Sequence, residues 1–379
     1  MTEILQSTYM FLLSGFAHLT AQQALMMVLG GALIYLGIAK GYEPLLLLPI
    51  GFGAILVNLP LTGLMEQGGL LRLFYDHGIL TAVFPCLIFL GIGAMTDFSP
   101  LLENPRILLL GAAGQFGIFL TLLLALAMGF NKLDAVAVAT IGACDGPTAI
   151  YVTSKYAPHL LGSVSVAAYS YMSLVPLLQP PIMRILTTHR ERNIIMKAPK
   201  APASKRVLIL FPIMVTIIAC LVAPKGAPLM GMIMLGNLMR ESGVVSRLAK
   251  SAENEIVNVV TLLLGICIGA TMQAEQFLRL QTLMVLGLGF IAICLGTATG
   301  ILFGKLMSLA TGGKINPLIG AAGISAYPMA ARVAQIEGRK YNKKNYLLMH
   351  AMGANTGGQI GSVMAAGIML SVLEAMKLT

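Results

Sequence analysis

Apolar and polar positions fall along this chain in long blocks rather than in short alternations. Apolar runs cover 22–39, 44–62, 78–96, 107–130, 134–154 and 162–184, and a charged, Pro-containing stretch fills 189–206. Six more runs follow at 207–224, 227–239, 256–273, 278–304, 315–331 and 346–376. A helix needs about 20 mostly apolar residues to cross hydrocarbon, so the pattern predicts an all-α polytopic membrane protein. A weaker apolar stretch at 4–20 adds one span, for about eleven transmembrane helices in all.

The two series match in number, spacing and residues. Pro49 and Asn58 recur as Pro228 and Asn237; Leu64, Met65 and Gly69 recur as Leu238, Met239 and Gly243. Ile92-Gly93-Ala94 recurs as Ile268-Gly269-Ala270, and Ile141-Gly142-Ala143 as Ile319-Gly320-Ala321. All lie in the same order at offsets between 174 and 179, which reads as a tandem repeat centred near residue 197. The predicted division is an N-terminal segment 1–21, a first repeat 22–187, a basic cytoplasmic linker 188–206 and a second repeat 207–379.

Positive charge orients such a chain. The two most basic loops are 189–206 and the stretch with Arg332, Arg339, Lys340, Lys343 and Lys344, with five apolar segments between them. Both are cytoplasmic only if one segment fails to cross, and the short piece between Pro228 and Arg240 is the expected one. Each repeat then has five crossings, so the repeats are inverted, with the N-terminus inside and the C-terminus outside. The fifth segments, Ile141-Gly-Ala-Cys-Asp-Gly-Pro-Thr148 and Ile319-Gly-Ala-Ala-Gly-Ile-Ser-Ala-Tyr-Pro328, carry helix-breaking Gly and Pro in matched positions. Broken helices are tolerated where they are buried in protein or line a cavity, and they place ion sites near the midplane. The expected machine is elevator-like, a core holding the broken pair that moves against a scaffold.

Composition excludes the soluble classes. Charged residues make up 11% of the chain and hydrophobic ones 57%, against about 25% charged in soluble domains. The net charge of +10 reads as cytoplasmic loops facing anionic lipid, not as nucleic acid binding. Cys86, Cys144, Cys220, Cys267 and Cys294 sit in apolar stretches without metal-ligand spacing and read as reduced packing residues. The first Lys or Arg is Lys40, so the basic start of a cleavable signal is missing and the first helix is expected to be retained.

Asp145 is the one acid well inside an apolar segment. A charge at a helix centre costs roughly 2.5–3.5 kcal/mol on insertion scales, so it needs an ion, a proton or a partner. It either caps the broken helix through the Gly146 and Thr148 amides or binds a cation or proton, and the second reading is favoured. The other embedded polar groups supply oxygen: Asn58, Asn237, Tyr169, Ser170, Tyr171, Ser173, Asn316, Ser325, Asn355, Thr356 and Gln359. Hard cations take oxygen ligands, which suits Na⁺. Asn58 and Asn237 are expected to be packing residues. No further buried acid is expected in the second repeat.

Three stretches together carry a resemblance: Gly142-Ala-Cys-Asp-Gly-Pro-Thr148, the run Lys314-Ile-Asn-Pro-Leu-Ile-Gly-Ala-Ala-Gly-Ile-Ser-Ala-Tyr-Pro-Met-Ala-Ala-Arg332, and His350-Ala-Met-Gly-Ala-Asn-Thr-Gly-Gly-Gln359. The chain resembles, over essentially its whole length, the membrane-embedded beta subunit of the sodium-pumping, biotin-dependent decarboxylases that act on oxaloacetate, methylmalonyl-CoA or glutaconyl-CoA. The resemblance implies a subunit that decarboxylates carboxybiotin delivered by a carrier domain, consumes a proton and exports Na⁺. It implies as partners the biotin carrier, a carboxyltransferase alpha subunit and a small membrane gamma or delta subunit. It also implies a homotrimer in the bacterial cytoplasmic (inner) membrane. Asp145 matches the family's Na⁺-binding aspartate, with Asn355 as its partner. Tyr171, Asn316, Gly320, Ser325 and Arg332 match positions used for the second ion site, the proton path and carboxybiotin. In this assignment Tyr171, Ser325 and Arg332 are catalytic, Arg332 and Asn316 bind carboxybiotin, and Asp145, Asn355, Tyr171, Ser325 and Gly320 hold Na⁺. The competing reading is a secondary Na⁺/H⁺ antiporter, which also pairs a broken helix with a buried Asp. The compact loops favour a CoA ester over oxaloacetate as the substrate of the complex.

Overall fold

The computed structural model describes residues 13–196 and 203–376. Most of the weak stretch 4–20, and the repeat centre near 197, lie outside the described residues. Among the described residues every regular element is helical. The first half holds α1 (Ala21–Lys40), α2 (Pro44–Val57), α3 (Val83–Met95), α4 (Leu108–Gly114), α5 (Phe116–Ala127), α6 (Lys132–Ala139), α7 (Gly146–Tyr156) and α8 (Leu161–Leu186). The second holds α9 (Lys205–Val222), α10 (Ala227–Ser242), α11 (Val257–Ala270), α12 (Leu280–Ala310), α13 (Met329–Tyr341) and α14 (Leu348–Ala375). Among the described residues seven helical stretches are long and apolar enough to cross a membrane, and the pair Leu70–Ile79 and Val83–Met95, bent by 61°, makes an eighth. The chain is a multi-pass membrane protein. Fewer spans are counted than the apolar runs predict because α2 has 14 residues and α10 has 16, while the broken segments divide into shorter pieces.

The halves are stitched together by matched contacts. α2 lies on α11, with Gly53 against the Ile266 carbonyl and Gly269 against the Ile50 carbonyl. α3 lies on α10 in the same way, with Gly93 on the Ile233 carbonyl and Gly236 on the Leu90 carbonyl. A β-carbon at any of the four would overlap the facing carbonyl, so glycine sets the helix separation. Asn58 closes the α2–α11 pair, donating to the Ala54 and Met272 carbonyls at 2.8 Å and accepting from the Ala274 amide at 3.0 Å. Asn237 closes the other, donating to the Thr96 carbonyl at 2.9 Å. Both are packing residues, as expected.

Each broken segment folds back. The first runs from α6 through a short turn to α7, and its ends meet where His159 contacts Asp134 at 3.2 Å. The second runs from Asn316 through Pro317–Gly323 to α13, and its ends meet on the linker. There Asn316 donates to the Arg192 and Ile194 carbonyls at 3.1 and 2.9 Å, and Asn345 donates to the same two at 3.3 and 3.0 Å. Both reversals occur where Gly and Pro stop the helix, and the piece between Pro228 and Arg240, expected not to cross, lies within the continuous 16-residue helix α10.

Glu337 on α13 corrects an expectation, because it is a fully buried acid in the second half of the chain. Arg184 donates to it through Nε at 2.6 Å and a second nitrogen at 3.1 Å, and Lys340 at 3.0 Å. Burial pushes its carboxyl up, but these two cations outweigh that and hold it below its ordinary value. The cluster ties α8 to α13 at the linker end of the molecule.

Candidate functional site

The two fold-backs enter from opposite ends and meet tip to tip. The Ser325 amide donates to the Ala143 carbonyl at 3.0 Å. Local sequence makes both tips. Cys144 adopts a left-handed φ of 56°, Asp145 is the N-cap of α7, and Pro147 occupies its first turn, where a missing amide hydrogen costs nothing. Ile324–Pro328 then crosses the first tip as non-helical chain before α13 begins.

Asp145 is 5% exposed. Its Oδ2 accepts from Thr148 Oγ1 at 2.7 Å and Ser362 Oγ at 2.8 Å, and its Oδ1 lies 3.4 Å from the Thr148 amide. Among the described residues no Lys, Arg or His pairs with it. The capping reading is thus visible: the carboxylate caps α7, and among the described residues it lacks a compensating charge. Ser362 has a second acceptor in the Gln359 carbonyl at 2.9 Å. Its hydroxyl can therefore turn away from Asp145 and offer a lone pair without losing a hydrogen bond.

A cavity of about 640 Å³ joins this carboxylate to the linker end of the molecule. Asp145, Ser325, Tyr327, Arg332 and Gln359 line it, with Phe89, Ile92, Met172 and Met352 supplying apolar wall. Ser325 donates to the Gly358 carbonyl at 2.8 Å. Arg332 is exposed, and among the described residues its side chain has no ion pair. The arrangement presents a free guanidinium at the mouth and an uncompensated carboxylate inside.

The remaining residues singled out by sequence lie around this cavity, outside its wall. Asn355 donates to the Ala322 and Ile324 carbonyls at 3.1 and 2.7 Å, and its Oδ1 is buried without a partner. It shapes the second tip. Asn316 caps Pro317–Gly323 through the Leu318 amide at 3.0 Å and holds the linker. Gly320 is the crossing point with α12, where a β-carbon would overlap the Gly300 carbonyl. Tyr171 donates to the Leu286 carbonyl of α12 at 2.7 Å and packs edge-on to Phe290.

Thr148, Ser362 and Tyr327 were missed as site residues by sequence reasoning. Ser362 had a signal, since it lies seven residues after Asn355, two turns along one face of α14. Tyr169, noted only as an embedded polar group, packs its ring over Gly146 with its hydroxyl buried and unpartnered.

Fold and site define a multi-pass membrane protein built around a buried carboxylate where two broken segments meet. The family model described as Na⁺-transporting oxaloacetate decarboxylase beta subunit matches residues 22–373. The chain is 53% identical to the glutaconyl-CoA decarboxylase subunit beta of Acidaminococcus fermentans, in an alignment of 360 residues covering 95% of this chain and 96% of that one. It is 53% identical to the methylmalonyl-CoA decarboxylase subunit beta of Veillonella parvula, over 95% and 96%. With the oxaloacetate decarboxylase beta chain of Klebsiella pneumoniae identity is 47% over 96% and 98%, in an alignment of 423 residues. The chain belongs to the beta-subunit family of the Na⁺-transporting decarboxylases, and the family resemblance read from its three motifs is correct. It is a decarboxylase subunit of a Na⁺ translocase.

Proposed function

We propose that this subunit decarboxylates carboxybiotin in the 640 Å³ cavity and couples the reaction to Na⁺ export through Asp145. The observation that carries this is the shared cavity: one wall holds an uncompensated carboxylate, and the mouth holds an unpaired guanidinium. Arg332 binds the carboxylate or ureido oxygen of carboxybiotin as a forked donor. The N–C bond breaks, CO₂ leaves, and the ureido nitrogen takes up a proton. Ser325, whose side chain lines the same cavity as Arg332 and Asp145, is the hydroxyl that passes it. Na⁺ sits on Asp145 with the oxygens of Thr148 and Ser362, while Asn355 fixes the carbonyls of the second tip. Tyr171 serves the second ion position or the proton path only after its hydroxyl leaves Leu286, Asn316 acts on carboxybiotin by positioning the linker end, and Gly320 acts by permitting the crossing with α12. Each Na⁺ moved outward against the membrane potential costs about 2.3 kcal/mol per 100 mV, which decarboxylation supplies.

The reciprocal pairs α2–α11 and α3–α10 support the inverted repeat at 22–187 and 207–379, and fold-backs entering from opposite ends support it further. If α2 and α10 cross, each repeat has five crossings. In this reading the paired fold-backs with α8, α12 and α14 form the elevator-like core, and α1–α3 with α9–α11 form the scaffold. The protein works in a bacterial inner membrane as a trimer, with a carboxyltransferase alpha subunit, a biotin carrier and a small gamma or delta subunit. The substrate of the complex is a CoA ester in this reading, since the CoA-ester relatives align over 360, 361 and 384 residues and the oxaloacetate relative over 423. The antiporter reading finds no support in these relatives. Reconstituted into liposomes, the complex should accumulate ²²Na⁺ only when carboxybiotin is supplied; Na⁺/H⁺ exchange without carboxybiotin contradicts the proposal.

A further inference from the structure

α13 continues outward from the cavity mouth as an amphipathic helix. Arg332, Ile336 and Arg339 follow one another at four and three residues along one face, and Ile336 is 58% exposed. The loop into α14 lies beside it. Gln335 clamps that loop, donating to the Asn345 carbonyl at 3.1 Å and accepting from the Leu348 amide at 2.7 Å. The clamp brings Tyr346, 67% exposed, under the guanidinium of Arg339 at 5.6 Å. Leu348 and Met349, both exposed, complete the strip and line the mouth itself. Ile336 and Tyr346 stand among Arg339, Lys340, Lys343 and Lys344, the charged end of the molecule, so hydrocarbon is not what covers them. Exposed Ile, Tyr, Met and Arg side by side are the composition of a protein contact.

We propose that this strip, Ile336, Arg339, Tyr346, Leu348 and Met349, is the landing surface of the biotin carrier domain. The inference rests on the carboxybiotin reading of the cavity. A tethered cofactor reaches no further than its arm, so its carrier must settle beside the opening that the cofactor enters, and this strip is continuous with Arg332 in that opening. The strip is also small. The carrier must leave after each turnover, which a contact smaller than the roughly 20–30 residues a side of a stable interface allows. Arg339 further asks for an acidic or carbonyl-rich rim on the carrier.

The experiment compares two substrates in the purified complex, carboxylated carrier and free carboxybiotin, for wild type, Ile336→Glu and Tyr346→Ala. The expected result is a KM for carboxylated carrier raised about ten-fold or more in both variants, with decarboxylation of free carboxybiotin and its Na⁺ dependence unchanged. An unchanged carrier KM overturns the proposal, and so does an equal loss with both substrates, which would place these residues in the cavity's own function. Wild-type complex that leaves free carboxybiotin intact overturns the underlying reading instead.

Discussion

The Ser325 amide and the Ala143 carbonyl, 3.0 Å apart, join two chain reversals that come from opposite ends of the molecule. Each tip alone would leave buried backbone groups unpaired, at about 1–3 kcal/mol apiece. Their contact places Asp145, from the first half of the chain, against Ser362 of the second half.

Ser362→Ala removes one hydroxyl from Asp145 and nothing from the cavity wall. The Na⁺ concentration for half-maximal activity should rise about ten-fold, as expected for losing one charge-assisted contact of about 1.5 kcal/mol or more. Activity titrated against Na⁺ checks this.

Gly320→Ala should prevent assembly of the core, since its β-carbon meets the Gly300 carbonyl and both partners are backbone. Gly231→Ala, where nothing lies within 4 Å, should fold and pump normally. Expression and size-exclusion profiles in detergent separate the two.

Asn58→Ala should lower stability by about 2–4 kcal/mol, because the Met272 carbonyl and Ala274 amide lose their partner. Half-saturation by Na⁺ should not move, since Asn58 belongs to the α2–α11 pair. A lowered melting temperature with unchanged Na⁺ titration is the expected pair of results.

Glu337 should give stability a pH dependence. Its carboxyl lies below the ordinary value in the folded protein, so its contribution is full above the unfolded pKa of about 4.3 and fades as pH falls through the folded value. Melting temperature followed from pH 6 down to pH 2 should drop more steeply in wild type than in Glu337→Gln, with the divergence below about pH 4.3, and the variant's plateau at pH 6 should be lower.

Membrane class and principal carboxylate were legible because each leaves a one-dimensional mark: apolar runs, and one acid where acids are costly. Arg332 and Ser325 were likewise singled out and line the same cavity as Asp145, as does Gln359, noted only as an embedded polar group. What sequence hid was where the chain turns back. Pro and Gly mark a break without saying whether the helix resumes forward or reverses, so the two breaks were read as interruptions and their reversal was not seen. Asn316 and Asn355 were visible as polar residues in apolar surroundings, but their hydrogen bonds go to backbone more than a hundred residues away and to the second tip respectively. Glu337 escaped notice because its burial depends on Arg184, distant in sequence and unmarked by any motif.

The most direct test is decarboxylation of free carboxybiotin by the purified complex with and without Na⁺, comparing wild type with Asp145→Asn at matched expression. The account predicts Na⁺-dependent activity in wild type and none in the variant, which keeps the α7 cap but loses the charge. Na⁺-dependent turnover that survives Asp145→Asn would contradict it.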